Sequence, residues 1–152
     1  MVKKLQELLE NRRFADVHKM LESVNSADIP SIFDELEEEQ IVVVYRLLSK
    51  DVAAEVFVEL DSDMQEKLIN AFTDKELKNV IDELFMDDTV DLIEEMPSNV
   101  VTRILKAVNK KDRKIINELL KYPEDSAGSI MTTEFVDLKE NMTVEQALQR
   151  IR

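Results

Sequence analysis

The sequence predicts an all-α fold, a superhelical stack of short amphipathic helices. Three observations predict it. One Gly and three Pro in 152 residues are too few breakers for a turn-rich β fold. Residues 25–120 divide into eight consecutive blocks of twelve with no insertion. In every block the eighth position is apolar (Ile32, Val44, Val56, Leu68, Val80, Leu92, Ile104, Ile116), and so is the twelfth (Leu36, Leu48, Leu60, Phe72, Leu84, Met96, Val108, Leu120). The ninth is apolar in seven blocks, with Asn117 the exception. Positions 8, 9 and 12 stand at i, i+1 and i+4 and share one helix face.

In chain order, residues 1–24 carry Leu5, Leu8, Leu9, Phe14, Val17, Met20 and Leu21 at helical spacing. They are expected to form one or two helices that close the open end of the stack. Each block then makes one helix with a tight turn at its boundary. Asn25, Ser49, Asp61, Thr73, Ser98 and Asn109 lie near the block starts, where a short polar side chain caps exposed N–H groups. Pro97 also suits a helix start. A helix of two to three turns is unstable alone, so each must bury its apolar face on its neighbours. The alternative, one continuous helix or coiled coil, conflicts with a twelve-residue period and with capping residues at the boundaries.

Composition narrows the function. The net charge of −13 disfavours nucleic acid and anionic membrane surfaces, and favours cations or basic partners. Hydrophobic residues make up 44% and aromatics 5%, so the core is aliphatic. Without Cys there are no disulfides or thiolate metal sites. No apolar run reaches the length of about 18 residues that spans a bilayer, and the charged N-terminus has no signal-peptide core. Enzyme chemistry is not indicated. There is no Gly-rich phosphate loop and no nucleophile–base pair, and His18 sits in an amphipathic helix. Tyr45 and Tyr122 read as packing residues, and the scattered Met as core filler.

The charge is segregated. Seven acids and no base lie between Lys19 and Arg46, and seven more acids between Lys78 and Arg103. From Arg103 to Lys121 seven bases meet two acids. Two blocks carry carboxylates at i, i+4 and i+8: Asp51, Glu55 and Glu59, then Asp87, Asp91 and Glu95. Each set lines one helix face, and like charges one turn apart cost about 0.2–0.5 kcal/mol per pair. A bound cation would offset that cost. Carboxylate oxygens suit the hard cations Mg²⁺ and Ca²⁺, but no EF-hand loop is present and one His does not make a Zn²⁺ site. The plainer alternative is a solvated helix face.

Four segments carry a resemblance: Val52-Ala-Ala-Glu55-Val56, Met86-Asp87-Asp88 with Asp91, the junction Tyr122–Thr132 (YPEDSAGSIMT), and Thr143-Val-Glu-Gln-Ala-Leu148. Together they are similar to the cytosolic N-terminal part of MgtE-type magnesium transporters. The resemblance implies a superhelical domain at 1–121, a linker at 122–133, and the incomplete start of a first CBS motif at 134–152. Phe135–Leu138 would be the first strand of that motif and residues 143–152 its first helix. It implies a Mg²⁺-sensing regulatory domain on the cytoplasmic face of the cell membrane. In that family Mg²⁺ bridges acidic residues of this domain and the CBS domain and holds the pore closed; when Mg²⁺ is low, the acidic surfaces repel and the domain swings away.

Glu55, Asp87 and Asp91 match the family's metal ligands, while Asp51, Asp88, Glu59 and Glu95 stay unassigned. The implied partners are the CBS domain and membrane pore of the same transporter, within a homodimer. These residues would not themselves enter the membrane, could not transport alone, and hold no complete nucleotide site. The competing reading is a superhelical interaction scaffold without a metal role, similar to flagellar motor switch proteins. In the tail, Val144, Ala147, Leu148 and Ile151 form an apolar stripe that must be covered. A second copy exchanging its tail is the favoured cover, ahead of the chain's own superhelix.

Overall fold

The computed structural model describes residues 1–123 and 126–152. Its helices are α1 (Val2–Glu10), α2 (Phe14–Leu21), α3 (Ile29–Phe33), α4 (Glu38–Arg46), α5 (Lys50–Val58), α6 (Ser62–Ala71), α7 (Asp74–Ile81), α8 (Met86–Glu95), α9 (Ser98–Ala107), α10 (Lys110–Leu119) and α11 (Val144–Ile151). A 3-10 turn at Ser26–Asp28 leads into α3. Among the described residues there is no strand. The helix boundaries follow the twelve-residue blocks, with one modification. Block one opens as the 3-10 turn, capped by Asn25 through Ala27 N–H, before a five-residue helix that starts at Ile29 with Pro30 in its first turn.

The repeat builds the core as its spacing requires. All eight residues at position 8 are buried, and so are six at position 9, from Phe33 to Ile93. Leu105 is half-buried and Asn117 exposed, as the loss of apolar character at that end of the stack demands. α7 packs on α5 and α9, and α8 on α10, so alternate helices meet along the stack. Burying a Leu, Ile or Phe side chain is worth about 1.5–3 kcal/mol, and together these rows hold helices too short to stand alone. α1 and α2 pack together and bury Leu5, Leu8, Leu9, Val17 and Leu21, closing one end. Between them Arg12 takes a left-handed turn, with φ 54°.

Polar side chains finish the helix ends. Asp61, Thr73, Asn109 and Thr143 accept N–H bonds from the first turns of α6, α7, α10 and α11. Ser49 and Ser98 do not: Ser49 occupies the cap position without a side-chain bond, and Ser98 is already helical behind Pro97. Arg46 and Arg103 reach over to the carbonyls at the end of α6, Arg46 to Ala71 O at 3.0 Å and Arg103 to Ile69 O at 2.8 Å and Phe72 O at 2.9 Å. His18 Nδ1–H donates to Leu47 O at 2.6 Å, tying α2 to the end of α4. Tyr45 donates to Ala53 O at 2.8 Å and packs against Phe57 and Phe72; burial pushes its hydroxyl well above the usual value.

The tail departs from expectation in its strand. Phe135–Leu138 is not a strand, because no second strand pairs with it and an unpaired β segment gains no ladder hydrogen bonds. Phe135, Val136 and Leu138 are more than half exposed. The helix does form, as α11, with a Thr143–Gln146 capping box, and Arg150 bonds back to the Asp137 carbonyl and carboxylate. Its apolar stripe is uncovered within the chain: Leu148 is 50% and Ile151 58% exposed. The superhelix therefore does not cover it.

The junction explains the single glycine. A Cβ on Gly128 would lie 2.2 Å from the Tyr122 ring, so the ring sits where any other residue would put a side chain. Ser129 N–H bonds Ser126 O at 3.1 Å and closes the turn beside it. Glu124 and Asp125 of the junction motif lie outside the described residues.

Candidate functional site

The two acidic stripes lie on α5 and α8, and two grooves open beside them. One, of about 390 Å³, is lined by Asp61, Asp88, Asp91 and Glu95 over a floor that includes Phe57 and Leu92. The other, of about 500 Å³, is lined by Asp51, Glu55, Glu59, Glu83 and Asp88. Val58, Leu84 and Asp88 belong to both, so the grooves meet at Asp88.

Local sequence puts these carboxylates where they are. α5 buries Ala53, Ala54, Val56 and Phe57, which turns Asp51, Glu55 and Glu59 outward. α8 buries Val90, Leu92 and Ile93, which leaves Asp91 and Glu95 exposed. Asp87 and Asp88 occupy the first turn of α8, where the helix dipole favours negative charge. Both are half-buried rather than exposed. One carboxylate oxygen of Asp87, Oδ1, is buried without a hydrogen-bond partner.

The electrostatics single this site out. Some surface charges are paired, Arg46 with Glu76, Lys50 with Glu83, Lys67 with Glu38 and Lys78 with Asp82, whereas many exposed acids among the described residues, Asp34, Glu35 and Glu39 included, are not. Among the described residues Asp51, Glu55, Glu59, Asp87, Asp88, Asp91 and Glu95 form no salt bridge. Burial, with the neighbouring charges of Asp87 and Asp91, holds Asp88 above the usual carboxylate range. Burial, with Asp87 and Glu95, does the same to Asp91. These groups are strained as anions, which is the condition a cation relieves.

Of the three residues singled out in the sequence, Asp87 and Asp91 belong to one electrostatic cluster on α8, and Glu55 faces the second groove. No three His, Asp or Glu among the described residues converge closely enough to hold a metal ion together. Two further members were not singled out. Asp88 joins the grooves. Glu134, from the segment after the junction, accepts the Met86 N–H at 2.6 Å and adds its charge beside Asp88. The Asp87-Asp88 pair was visible in the sequence, but only tertiary contact brings Glu134 to α8.

The sequence profile of the MgtE intracellular N domain matches residues 24–125. The chain belongs to the MgtE intracellular N domain family. Its sequence is 31% identical over 151 residues to the magnesium transporter MgtE of Thermus thermophilus, covering 97% of this chain and 34% of that protein. It is 23% identical over 145 residues to the magnesium transporter MgtE of Bacillus subtilis, covering 95% of this chain and 32% of that protein. The chain thus spans about a third of the length of these MgtE relatives.

Its fold matches the crystal structure of the cytosolic domain of the Mg²⁺ channel MgtE in complex with ATP, with TM-score 0.86 and 31% identity over 98% of this chain and 61% of that one. It also matches the soluble part of a magnesium transporter, with TM-score 0.83 and 24% identity, covering 99% of this chain and 59% of that one; this second likeness concerns the fold alone. In keeping with an MgtE intracellular domain, no described helix is long and apolar enough to cross a membrane.

The donor set fits Mg²⁺. All the candidates are carboxylate oxygens, and Asp87 Oδ1 is an acceptor without a donor. Mg²⁺ keeps several waters and takes one or two carboxylates from a surface, which such oxygen donors can supply.

Proposed function

We propose that this chain is a Mg²⁺-sensing regulatory domain of a magnesium transporter, acting at the cytoplasmic face of the cell membrane. Glu55, Asp87 and Asp91 are its metal ligands, and the remaining ligands come from a CBS domain of the same protein. Residues 1–121 form the sensing superhelix, 122–133 the linker and 134–152 the start of the CBS region. The observation that carries the reading is the cluster of like charges on α8, in which Asp88 and Asp91 are held above the usual carboxylate range, beside the groove that Asp88 shares with Glu55. Alone, these charges repel each other and any acidic surface brought against them. Mg²⁺ supplies the countercharge that lets two acidic surfaces meet, and the closed pore is the state in which they do. When Mg²⁺ is withdrawn, Asp87 and Asp91 face an unneutralised partner, the surfaces separate, and the pore is freed. Membership of the MgtE family supports this assignment.

The test is transport through the full transporter, homodimer included, carrying Asp87→Asn with Asp91→Ala. Closure should require a higher Mg²⁺ concentration than in the parent. Closure at the parent's Mg²⁺ concentration would overturn the ligand assignment.

A further inference from the structure

We infer that Glu134 is a docking residue, seating the linker on the N-terminus of α8 within the acidic cluster and coupling linker position to cation binding there. The coupling rests on the Mg²⁺ reading above; the docking does not. No N-cap side chain caps α8, as none caps α5 or α9, and its own Asp88 carboxylate reaches back only to the Phe85 N–H. Phe85 stands at its N-cap and offers no side-chain acceptor, whereas α6, α7, α10 and α11 are capped by the residue immediately before them. The missing acceptor arrives from 48 residues away, as Glu134 Oε2 takes the Met86 N–H at 2.6 Å. Thr132 Oγ1 accepts the Glu134 N–H at 3.2 Å and fixes the turn that presents it. Within the linker the Tyr122 ring lies over Gly128.

The seat is electrostatically divided. The positive end of α8 attracts Glu134, while Asp87 and Asp88 in the same turn repel it. A divalent cation among those carboxylates removes the repulsion and leaves the attraction. Cation binding and linker docking then favour each other, and by linkage the effect is reciprocal. Mg²⁺ would thereby fix the segment that leads from the superhelix to residues 134–152, as well as bridging two surfaces.

The test is amide hydrogen exchange at Met86, followed by NMR on the 152-residue chain, with interior amides of α8 as a folding control. Glu134→Ala should speed Met86 exchange about five-fold, the effect of one capping bond. Glu134→Gln keeps an acceptor and should leave Met86 protected. Added Mg²⁺ should slow Met86 exchange about two-fold further in the parent and not in Glu134→Gln, since the repulsion being relieved needs the charge. Unchanged Met86 exchange in Glu134→Ala overturns the docking. Met86 exchange indifferent to Mg²⁺, while Asp87 and Asp91 signals shift with it, overturns the coupling alone. If no signal on α5 or α8 responds to Mg²⁺, both the coupling and the Mg²⁺ reading fail.

Discussion

Glu76 offers a quantitative test of how the helix ends are held. Its carboxylate accepts Thr73 N–H at 2.7 Å and Thr73 Oγ1–H at 2.9 Å, and pairs with Arg46 Nε at 2.8 Å. The Thr73 backbone bond, followed by Arg46, lowers its pKa from 4.5 to about 2. Fully expressed, that gap would be worth about 3 kcal/mol. The side chain is 34% exposed, so water screens much of it, and ion pairs of this kind return about 0.2–1 kcal/mol. In Glu76→Gln the amide oxygen can still cap Thr73, so the loss is that of the charge, about 1 kcal/mol, or about 2–4 °C in Tm for a domain of this size. The folded pKa lies below the unfolded one, so the contribution is complete above pH 4.5 and disappears as pH falls through about 2. Urea unfolding followed by circular dichroism should show the parent and Glu76→Gln apart at about pH 7 and converging between about pH 4.5 and 2. Comparing the two chains at each pH cancels the protonation of the other carboxylates. A gap that stays constant down to about pH 2.5, or no gap at about pH 7, would refute the reasoning.

Asp88→Asn should raise thermal stability by about 0.5 kcal/mol at low salt in the presence of chelator, since repulsion and burial there outweigh the helix dipole. The gain should vanish on adding Mg²⁺, and a loss of stability in chelator would contradict the strain assigned to Asp88. Gly128→Ala forces the Tyr122 ring out of its position but touches no core residue. Tm should move by less than about 1 °C while trypsin cuts faster after Lys121, and an unchanged cleavage rate would refute the role given to Gly128.

The repeat was legible because burial at position 8 is a matter of period alone: one stretch of sequence specifies Val56 or Ile104 as core without knowledge of its neighbours. Leu105 and Asn117 break the pattern where the stack ends and fewer neighbours remain to bury them. The stripe on α5 was read correctly as an outward face. That on α8 was read only in part, because the spacing of Asp87 from Asp91 cannot reveal that Oδ1 of Asp87 is buried. Asp88 becomes central only when α5 and α8 come together, and Glu134 only when the chain returns from 48 residues away. The missing strand has the opposite cause. Phe135–Leu138 has strand-like residues, but a strand is a property of a pair, and within the described residues no partner is present.

The central claim is that the α5–α8 carboxylates form a Mg²⁺ site and are not merely a solvated acidic face. The most direct measurement is a Mg²⁺ titration of the isotopically labelled chain, read amide by amide. The acidic run Asp34–Glu39 serves as the internal comparison, being largely exposed and similarly charged. The account predicts that signals of Glu55 and Asp87–Asp91 shift together along one weak saturating curve, lost in Asp87→Asn with Asp91→Ala, while Asp34–Glu39 stays still. Shifts of equal size across both acidic regions, or a curve unchanged in the double variant, would contradict it.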